Sequence, residues 1–369
     1  MPLLPPTSPI ADLAAKVEAG ERLTFDDGMR LYQTQDILAL GKLAEYVNRK
    51  RNGDTVYFVQ NHRITPTNVC AFHCNFCSFR RNGNEPDAYV RTPDDIIKRV
   101  RNAHSERTRE FHIVGGLVPD LDVEYYAEII SHLKRDFPEV HVKAFTAVEI
   151  DYMAKLSNLG WRETLEILRN AGLDALPGGG AEIFHPAVRR KICPEKVDGD
   201  GWLAIHGIAH ELGIKTNATM LYGHIEKTEH RVDHLLRLRE QQDKTGGFIT
   251  YIPLAFHPEN NNLGRSKHLD WTTGFEDLKE LAVGRLLLDN FEHVKAYWIS
   301  LTTRLAQVAL AFGVSDVDGT VIEEDIYHAA GAKTEQGLSR GELVHLIKAA
   351  GKQPIERDAL YNHIEVYSN

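Results

Sequence analysis

The chain has 369 residues, of which 43% are hydrophobic and 26% are charged, and its formal net charge is -9. This composition predicts a soluble protein with a large core, and the absence of a basic tail or stripe argues against nucleic-acid binding through phosphate contacts. The sequence has no apolar run of about 18 residues and no signal-peptide pattern at its start, so we expect no membrane span and a cytoplasmic location.

Short apolar runs alternate with longer amphipathic stretches along most of the chain. Residues 8–50 have the apolar period of helices, and the segments that separate the later apolar runs have it too. The strand candidates are 56–64, 111–117, 140–148, 173–179, 214–223, 248–256, 294–301 and 312–320. Alternating strands and helices predict an α/β protein with a (βα)8 barrel of the TIM type, and a doubly wound open sheet is the alternative.

The same pattern predicts that the chain is divided into three parts. We expect a helical extension over residues 1–50, a barrel core over residues 51–320 and a second helical extension, packed on the barrel, over residues 321–369. In a parallel barrel the active site lies where the strands end, so polar residues after the predicted strands are candidate site residues.

Three of the four cysteines lie close together in the segment NVCAFHCNFCSFR (68–80). Cys70, Cys74 and Cys77 have the spacing C-x3-C-x2-C and follow the first predicted strand. Zinc is one interpretation, with a histidine of the segment as a further ligand, but structural zinc sites usually have paired ligands. A 4Fe-4S cluster held by three thiolates is the better interpretation, because one iron then keeps a position open to a small molecule. Cys193 is interpreted as a small buried apolar residue.

Glycines follow two other predicted strands. Gly115 and Gly116 end the second strand, where backbone without side chains allows a ligand to approach closely. The segment LDALPGGGAEIF (173–184) has three consecutive glycines and then Glu182, and it lacks the G-x-G-x-x-G pattern of a dinucleotide-binding fold. Glu182 could accept hydrogen bonds from ribose hydroxyls, or it could be a carboxylate that favours the start of a helix.

The cysteine spacing, together with the aromatic Phe76 between two of the cysteines, resembles the cluster loop of the radical S-adenosylmethionine (SAM) superfamily. The resemblance implies the barrel of that superfamily, a 4Fe-4S cluster on the three cysteines, and SAM bound at the open iron. It further implies that Phe76 shields the cluster from water. Gly115 and Gly116 would bind the amino group of SAM through their carbonyls, and Glu182 would bind its ribose.

The resemblance extends from about residue 22 to the C-terminus. The matching stretches are NHRITPTNVCAFHCNFCSFRR, FHIVGGLVPD, KAFTAVEI, LPGGGAEIFHPAVRRKICPEK, TNATMLYGHIE, IPLAFHPENN and AGKQPIERDALYN. Together they resemble the radical SAM enzymes of the futalosine route to menaquinone. Two sister families share most of this pattern, the aminofutalosine synthases and the cyclases that act on dehypoxanthine futalosine. KAFTAVEI and IFHPAVRRKICPEK, with its cysteine–proline pair, resemble the synthase family, and the cyclase family is the alternative.

Membership of the synthase family implies a transferase that consumes SAM as a co-substrate. SAM is cleaved to methionine and a 5′-deoxyadenosyl radical, which adds to the vinyl ether of 3-[(1-carboxyvinyl)oxy]benzoate. Rearrangement and loss of the carboxyl group then give 6-amino-6-deoxyfutalosine. An external one-electron donor, such as flavodoxin or ferredoxin, is implied as a partner.

A substrate with two carboxylates requires cationic or amide donors in its pocket. Arg63, at the end of the first strand, is the first candidate, and Arg265 and Arg304 are alternatives that could equally be surface residues. His62 and His257 are candidates for proton transfer, since histidine titrates near neutral pH. The remaining candidates are polar side chains that could hydrogen-bond the cofactor, namely Asn68, Thr146 and Asn217.

Overall fold

The computed structural model describes residues 2–368 and contains eleven strands and sixteen helices in that part of the chain. The strands are β1 (Thr55–Val59), β2 (Asn61–Ile64), β3 (Glu110–Ile113), β4 (His141–Ala144), β5 (Ala175–Leu176), β6 (Lys215–Tyr222), β7 (Phe248–Ala255), β8 (His293–Val294), β9 (Asp316–Gly319), β10 (Gln353–Arg357) and β11 (His363–Val366). The helices are α1 (Ala11–Glu18), α2 (Phe25–Gln33), α3 (Ile37–Asn52), α4 (Pro93–Ala103), α5 (Val123–Asp136), α6 (Ala147–Leu156), α7 (Trp161–Ala171), α8 (Pro186–Ile192), α9 (Gly199–Glu211), α10 (Thr228–Thr245), α11 (Asn262–Lys267), α12 (Gly274–Leu287), α13 (Trp298–Leu301), α14 (Thr303–Ala309), α15 (Ile326–Ala329) and α16 (Arg340–Ala349). None of these helices is both long enough and apolar enough to cross a bilayer.

The barrel is built on one parallel sheet that β9 closes. Strands β2 to β8 lie side by side in chain order. At the β8 edge of this sheet, the amide of Ala296 donates to the carbonyl of Asp316 in β9 at 2.9 Å. At the β2 edge, the amide of Arg63 donates to the carbonyl of Ile322, which follows β9, at 3.0 Å. Since β1 and β2 are two halves of one strand separated by Gln60, eight strands surround the interior. The predicted barrel is therefore confirmed, and the open sheet is excluded.

The strands are buried on both faces, because helices cover the outside and side chains fill the inside. In β6 the first residue is exposed and the next seven are buried. Some of the buried strand residues are charged. Lys143 in β4 is 2% exposed, and Lys295, directly after β8, is 3% exposed. The barrel interior thus contains cations, which have to find partners there.

Two segments differ from the secondary structure that the sequence predicts. Residues 298–301, predicted as the end of a strand, form the short helix α13, because a short buried apolar run has the same pattern in either structure. Residues 321–369 contain the expected helices α15 and α16, but also β10 and β11, which the sequence did not predict. β10 pairs in parallel with β1 and in antiparallel with β11, so that the second sheet has the order β11-β10-β1-β9.

The helices before the barrel are attached to it through a buried carboxylate. The hydroxyl of Tyr32 in α2 donates to Glu280 of α12 at 2.9 Å, and Tyr251 of β7 donates to the same carboxylate at 3.3 Å. Arg231 of α10 lies 3.5 Å from it. Burial raises the pKa of Glu280 to about 7, although Arg231 opposes that shift. The group therefore favours its neutral form more strongly in the folded chain than in the unfolded one.

We predict that Glu280→Gln flattens the dependence of stability on pH. A carboxyl group whose pKa rises to about 7 on folding contributes stability below its unfolded pKa and loses it as the pH increases through about 7. The Tm of the wild type should fall relative to that of E280Q between roughly pH 5 and pH 8 in thermal unfolding scans. Glu276→Gln is the control, since Glu276 also pairs with Arg231, at 2.7 Å, but is more exposed, so this variant should keep the wild-type slope. Equal slopes for wild type and E280Q would contradict the prediction.

Candidate functional site

A cavity of about 310 Å³ lies at the end of the barrel where the strands finish. Loops that follow the barrel strands form its lining, as the barrel architecture predicts. Twelve of the fifteen candidate site residues named from the sequence line it: Arg63, Asn68, Cys70, Cys74, Phe76, Cys77, Gly115, Gly116, Thr146, Glu182, Asn217 and His257. The fold thus brings together residues that are up to about two hundred positions apart in the chain.

Three other segments hold the cysteine loop in place. The amide of Ala71 donates to the carbonyl of Leu117 after β3, and the amide of Asn75 donates to the carbonyl of Ile192 in α8, each at 2.8 Å. The carbonyl of Asn75 accepts from the amide of Leu263 in α11, also at 2.8 Å. Because backbone groups make these bonds, the shape of the loop is fixed independently of its thiols.

The three thiols of the loop are free and half-buried. In the part of the chain that the structure describes, no three Cys, His, Asp or Glu side chains converge as ligands of one metal ion. Zinc requires such convergence, since its ligands lie about 2.0–2.3 Å from a single ion. An iron–sulfur cluster spreads its thiolates over several irons and does not require it. Three free thiols on one loop of the cavity lining are a donor set that such a cluster can use.

Burial also affects the protonation of the thiols. It raises the pKa of Cys74 to about 12, with Lys196 acting in the opposite direction, and it raises the pKa of Cys70 as well. Thiols in such surroundings stay protonated until a metal displaces the proton. Cluster binding should therefore release protons and stabilise the loop.

The Gly115–Gly116 turn lies directly against the cysteine loop. A Cβ on Gly116 would be 2.0 Å from the carbonyl oxygen of Val69, so only glycine fits at this position. Glu149 accepts from the amides of Gly115, at 3.0 Å, and Thr146, at 2.7 Å. Neither glycine carbonyl accepts a hydrogen bond within residues 2–368. The turn thus has free acceptors, as binding of an amino group requires.

The three consecutive glycines allow close packing after β5. A Cβ on Gly178 would lie 2.7 Å from the Thr219 methyl group, and Gly180 has a positive φ of 86°. Glu182 follows, and its carboxylate lies 2.6 Å from the ammonium group of Lys196. The next helix, α8, begins at Pro186 and has no acidic residue in its first turn. Glu182 is therefore not a helix-start carboxylate, and it is positioned by an ion pair instead.

Lys196 is a site residue that the sequence did not reveal. Its side chain is 16% exposed, and its ammonium group lies 5.1 Å from the centre of the Phe76 ring. Burial opposes its charge, but Glu182 and the nearby thiols outweigh that effect and raise the pKa of Lys196. A permanent cation thus stands between the cysteine loop and Glu182. In the sequence it is only a lysine that follows the segment KIC (191–193), and the pattern does not show that its side chain points toward the cavity.

Cations in the barrel interior line the deeper part of the cavity. Arg63 lies 3.1 Å from Glu324 and 3.4 Å from Asp318, while Lys295 lies 2.6 Å from Asp318. Lys143 lies 2.6 Å from Glu110 of β3. Burial lowers the pKa of His112, next to Glu110, to about 4, with Arg63 adding to the effect, so this histidine is neutral. The sequence predicted Arg63 but neither lysine.

The structure corrects three predictions about charged residues. His62 lies outside the cavity lining and faces Glu323 and Phe111, because successive strand residues point to opposite faces and Arg63 occupies the inner one. Arg265 in α11 and Arg304 in α14 are exposed and also lie outside the lining. These three residues are no longer candidates for contact with a ligand.

The remaining polar candidates have different hydrogen-bonding states. The amide group of Asn68 is used by the backbone of Asp87 and Tyr89, so it shapes the loop. Asn217 makes no side-chain hydrogen bond within residues 2–368 and is available to a ligand. His257 bonds the carbonyl of Ser300 through Nε2 at 3.0 Å, and its buried Nδ1 has no partner in the same range. Burial lowers the pKa of His257 and thereby favours the neutral ring. Since Nε2 bonds a carbonyl oxygen and so carries the hydrogen, Nδ1 is the nitrogen with a free lone pair.

Comparisons with known proteins agree with this site. Residues 64–238 match the family model "Radical SAM superfamily", and residues 245–369 match the model of the CofH/MqnC C-terminal region. The chain is 50% identical to the aminodeoxyfutalosine synthase of Thermus thermophilus over 356 residues, which is 96% of both chains. It is 43% identical to the aminodeoxyfutalosine synthase of Streptomyces coelicolor over 96% of this chain and 94% of that one.

A more distant relative matches nearly the whole chain, and two solved structures have a similar fold. The 5-amino-6-(D-ribitylamino)uracil–L-tyrosine 4-hydroxyphenyl transferase of Methanopyrus kandleri is 39% identical over 93% of this chain and 94% of its own. Methylornithine synthase (PylB) superposes with a TM-score of 0.74 at 18% identity, covering 92% of this chain and 96% of its own. The FeFe-hydrogenase maturase HydG from Carboxydothermus hydrogenoformans also has a TM-score of 0.74, at 17% identity, over 95% of this chain and 80% of that one. These two structures support the fold alone.

We predict that Cys74→Ala abolishes cluster binding while Cys193→Ala does not. Cys74 lines the cavity, whereas Cys193 is 1% exposed and lies outside the lining. After anaerobic reconstitution, C74A should contain little bound iron and sulfide and lack the visible absorbance of a cluster, and C193A should match the wild type. Equal iron and sulfide contents in C74A and wild type would contradict the assignment of the loop.

We predict that Lys196 and Glu182 are coupled in stability. Lys196→Met leaves a buried carboxylate unpaired and should lower the free energy of unfolding by about 3 kcal/mol, measured with urea. Glu182→Gln in the same chain removes that charge, so the double variant should regain most of the loss. Additive losses in the double variant would show that the two side chains do not interact.

Proposed function

The chain belongs to the radical SAM superfamily, and on that premise we propose that it is an aminofutalosine synthase of menaquinone biosynthesis. The observation that carries the proposal is one cavity whose lining contains three free thiols and three cations, the half-buried Arg63 and the buried Lys143 and Lys295. This arrangement suits a reaction that joins SAM to a substrate with two carboxylates. Two relatives that match nearly the whole chain are aminodeoxyfutalosine synthases, and the substrate to test is the one that the family resemblance of the sequence implies.

In the proposed reaction, SAM, 3-[(1-carboxyvinyl)oxy]benzoate and water give 6-amino-6-deoxyfutalosine, methionine, bicarbonate and a proton. C5′ of SAM loses its bond to sulfur and gains one to the vinyl carbon of the substrate, and the carboxyl group leaves as bicarbonate. A 4Fe-4S cluster held by Cys70, Cys74 and Cys77 would supply, when reduced, the electron that breaks the sulfur–carbon bond. Because the overall reaction is redox-neutral, the radical formed after the rearrangement gives one electron up again.

The residues of the chain bind and orient SAM. The free carbonyls of Gly115 and Gly116 accept hydrogen bonds from its amino group, and Glu149 keeps that turn in place by holding the Gly115 amide. Glu182 accepts from the ribose hydroxyls, with Lys196 fixing its carboxylate. Each interaction restricts the position of C5′ relative to the substrate, which is the main contribution a protein can make to such a step.

Other residues bind the dicarboxylate and exclude water. Arg63, Lys143 and Lys295 lie in the interior with donors that can reach a carboxylate, and Asn217 adds a free amide. His257, with a free Nδ1, accepts or returns a proton during the rearrangement. Tyr327 of α15 lines the cavity beside His257, their ring centres 4.8 Å apart, and helps to cover the site. A closed site protects a primary carbon radical from side reactions.

A second candidate function is hydrogen abstraction by the 5′-deoxyadenosyl radical, as the sister cyclase family would perform it. Its basis is the resemblance of the sequence to that sister family. The match to the family model of the CofH/MqnC C-terminal region, and to relatives with another named activity over nearly the whole chain, is not specific to the synthase reaction. Addition consumes the deoxyadenosyl group, whereas abstraction releases free 5′-deoxyadenosine. The two functions therefore differ in a product that is readily measured.

We predict that the reconstituted protein adenosylates 3-[(1-carboxyvinyl)oxy]benzoate. The anaerobic mixture contains the protein, SAM, dithionite and this substrate, and products are identified by mass spectrometry. The expected product has gained the deoxyadenosyl group and lost one carboxyl group, without accumulation of 5′-deoxyadenosine. Accumulated 5′-deoxyadenosine with unchanged substrate would overturn the proposal and favour the cyclase family.

A variant tests the role of the interior cations in the same assay. Lys143→Met combined with Glu110→Gln removes a buried pair without leaving a lone charge, and it should raise the KM for the dicarboxylate by about tenfold or more. SAM cleavage without substrate should continue at the wild-type rate. Arg304→Met is the control, since Arg304 is exposed and outside the cavity lining. An unchanged KM in the double variant would exclude Lys143 from substrate binding.

A further inference from the structure

The cysteine loop reaches the surface between two short helices. His73, inside the loop, has a side chain that is 63% exposed. Its neighbour Asn75 bonds the last turn of α8 through its backbone amide and through its side chain, which donates to the carbonyl of Lys191 at 2.6 Å. On the other side, Asn75 bonds the start of α11, where the side chain of Asn262 donates to it at 3.2 Å. The surface nearest the three thiols is therefore formed by the loop, α8 and α11.

That surface is rich in unpaired cations. Arg190 and Lys191 end α8, and Arg265 and Lys267 lie in the last turn of α11. All four side chains are exposed, and none forms an ion pair within residues 2–368. The whole chain, by contrast, has a formal net charge of -9. A concentration of free cations at this place is not a consequence of the overall composition.

Few acidic groups compensate these cations locally. In the two segments that flank the loop, residues 186–196 and 259–267, the exposed acidic residues are Glu195 and Glu259. Glu195 lies 3.5 Å from Nδ1 of His73 and is thereby partly engaged. We call the surface formed by Arg190, Lys191, Arg265 and Lys267 the basic rim.

We propose that the basic rim is the docking surface for an acidic one-electron carrier protein. The inference rests on the proposed function in one respect, namely that the cluster on the three thiols receives an electron from outside. In the transfer, the carrier loses one electron and the cluster gains it, so no further reactant is required. A carrier has to approach the thiols closely, and the loop between α8 and α11 is where the surface comes near them. Opposite charges steer such a partner to the right place and orient it.

The charges on α8 and α11 can be reversed without touching the cavity, because none of the four residues lines it. Two double variants, Arg190→Glu/Lys191→Glu and Arg265→Glu/Lys267→Glu, test the two halves of the basic rim separately. The matched control is Lys98→Glu/Lys244→Glu, which reverses two exposed, unpaired lysines on α4 and α10. It changes the net charge by the same amount, so any general charge effect appears in the control as well.

The first measurement is binding of purified flavodoxin to the reconstituted holoenzyme at low ionic strength by calorimetry. We expect both double variants to bind about tenfold more weakly than wild type, and wild-type binding to weaken with added salt, while the control behaves as wild type. Unchanged binding in both double variants would overturn the proposal. So would equal weakening in the control, since the effect would then be one of net charge alone.

The second measurement distinguishes a loss of docking from damage to the cluster or to SAM binding. With flavodoxin and its reductase as the electron source, the double variants should cleave SAM more slowly than wild type. With dithionite, a small reductant that needs no docking surface, they should cleave SAM at the wild-type rate. Slow cleavage with both reductants would overturn the proposal, because the rim would then support the cluster itself. Since SAM cleavage is measured without the dicarboxylate, failure of the proposed substrate would not affect the result.

The same variants exclude a competing explanation. A basic surface could instead attract the small dicarboxylate to the cavity mouth. In that case the reversals would raise the KM for the dicarboxylate in the dithionite assay and leave flavodoxin binding unchanged, which would overturn the proposal. We expect the reverse, with an unchanged KM and weakened flavodoxin binding.

Discussion

The arrangement of this molecule depends on the pairing of charges inside the barrel. An unpaired ion in such a place costs several kcal/mol, and a paired one is tolerated only with good geometry. Arg63 belongs to β2, Lys295 follows β8, and Asp318 of β9 holds both of them. Arg357 of β10 pairs with Asp316 of β9 in the same way, at 2.7 Å. The ion pairs therefore join the first strand, the last barrel strand and the C-terminal sheet, and hydrogen bonds between backbones close the barrel around them.

The charged interior and the cysteine loop serve different needs in one cavity. The interior is rigid and polar, and it offers cations and a neutral histidine to an anionic substrate. The loop above it is held by backbone bonds to the turn after β3, to α8 and to α11, so its thiols remain free for metal. Glu149 and Lys196 lie between the two regions. Glu149 holds the Gly115 amide and Lys196 holds the Glu182 carboxylate, and in the proposed complex both Gly115 and Glu182 face SAM. Neither residue has to take part in bond breaking in order to affect the reaction.

The sequence predicted the barrel, and most of the candidate site residues that it offered line one cavity, for a local reason. Cys70, Cys74 and Cys77 lie within one loop, and Gly116 and Glu182 directly follow strands, so their place in the fold is determined by their position in the chain. Residues whose role depends on side-chain direction were harder to predict. His62 and Arg63 are adjacent, and the pattern did not indicate which of them faces inward.

Long-range contacts were the other limit of the sequence analysis. Lys143 and Lys295 occur in apolar runs that predicted strands, but their partners lie on neighbouring strands, and local periodicity contains no information about these. Lys196 pairs with a residue on the other side of α8. Strand β10 joins the edge of β1, almost three hundred residues earlier in the chain, and β11 pairs with β10; the short length of both strands gave no clear pattern. The resemblance to known enzymes identified the chemistry, but the structure was needed to place the charges.

The position of β1 in the second sheet has a consequence for the synthesis of the chain. Its two neighbours are β9 and β10, which are made more than two hundred and fifty residues later. A nascent chain that ends before β9 carries the first strand with both of those edges unpaired, and exposed strand edges promote association with other chains. Pairing across such a long separation also makes folding slow. Completion of the C-terminal segment is thus the event that turns an open, association-prone intermediate into a closed barrel.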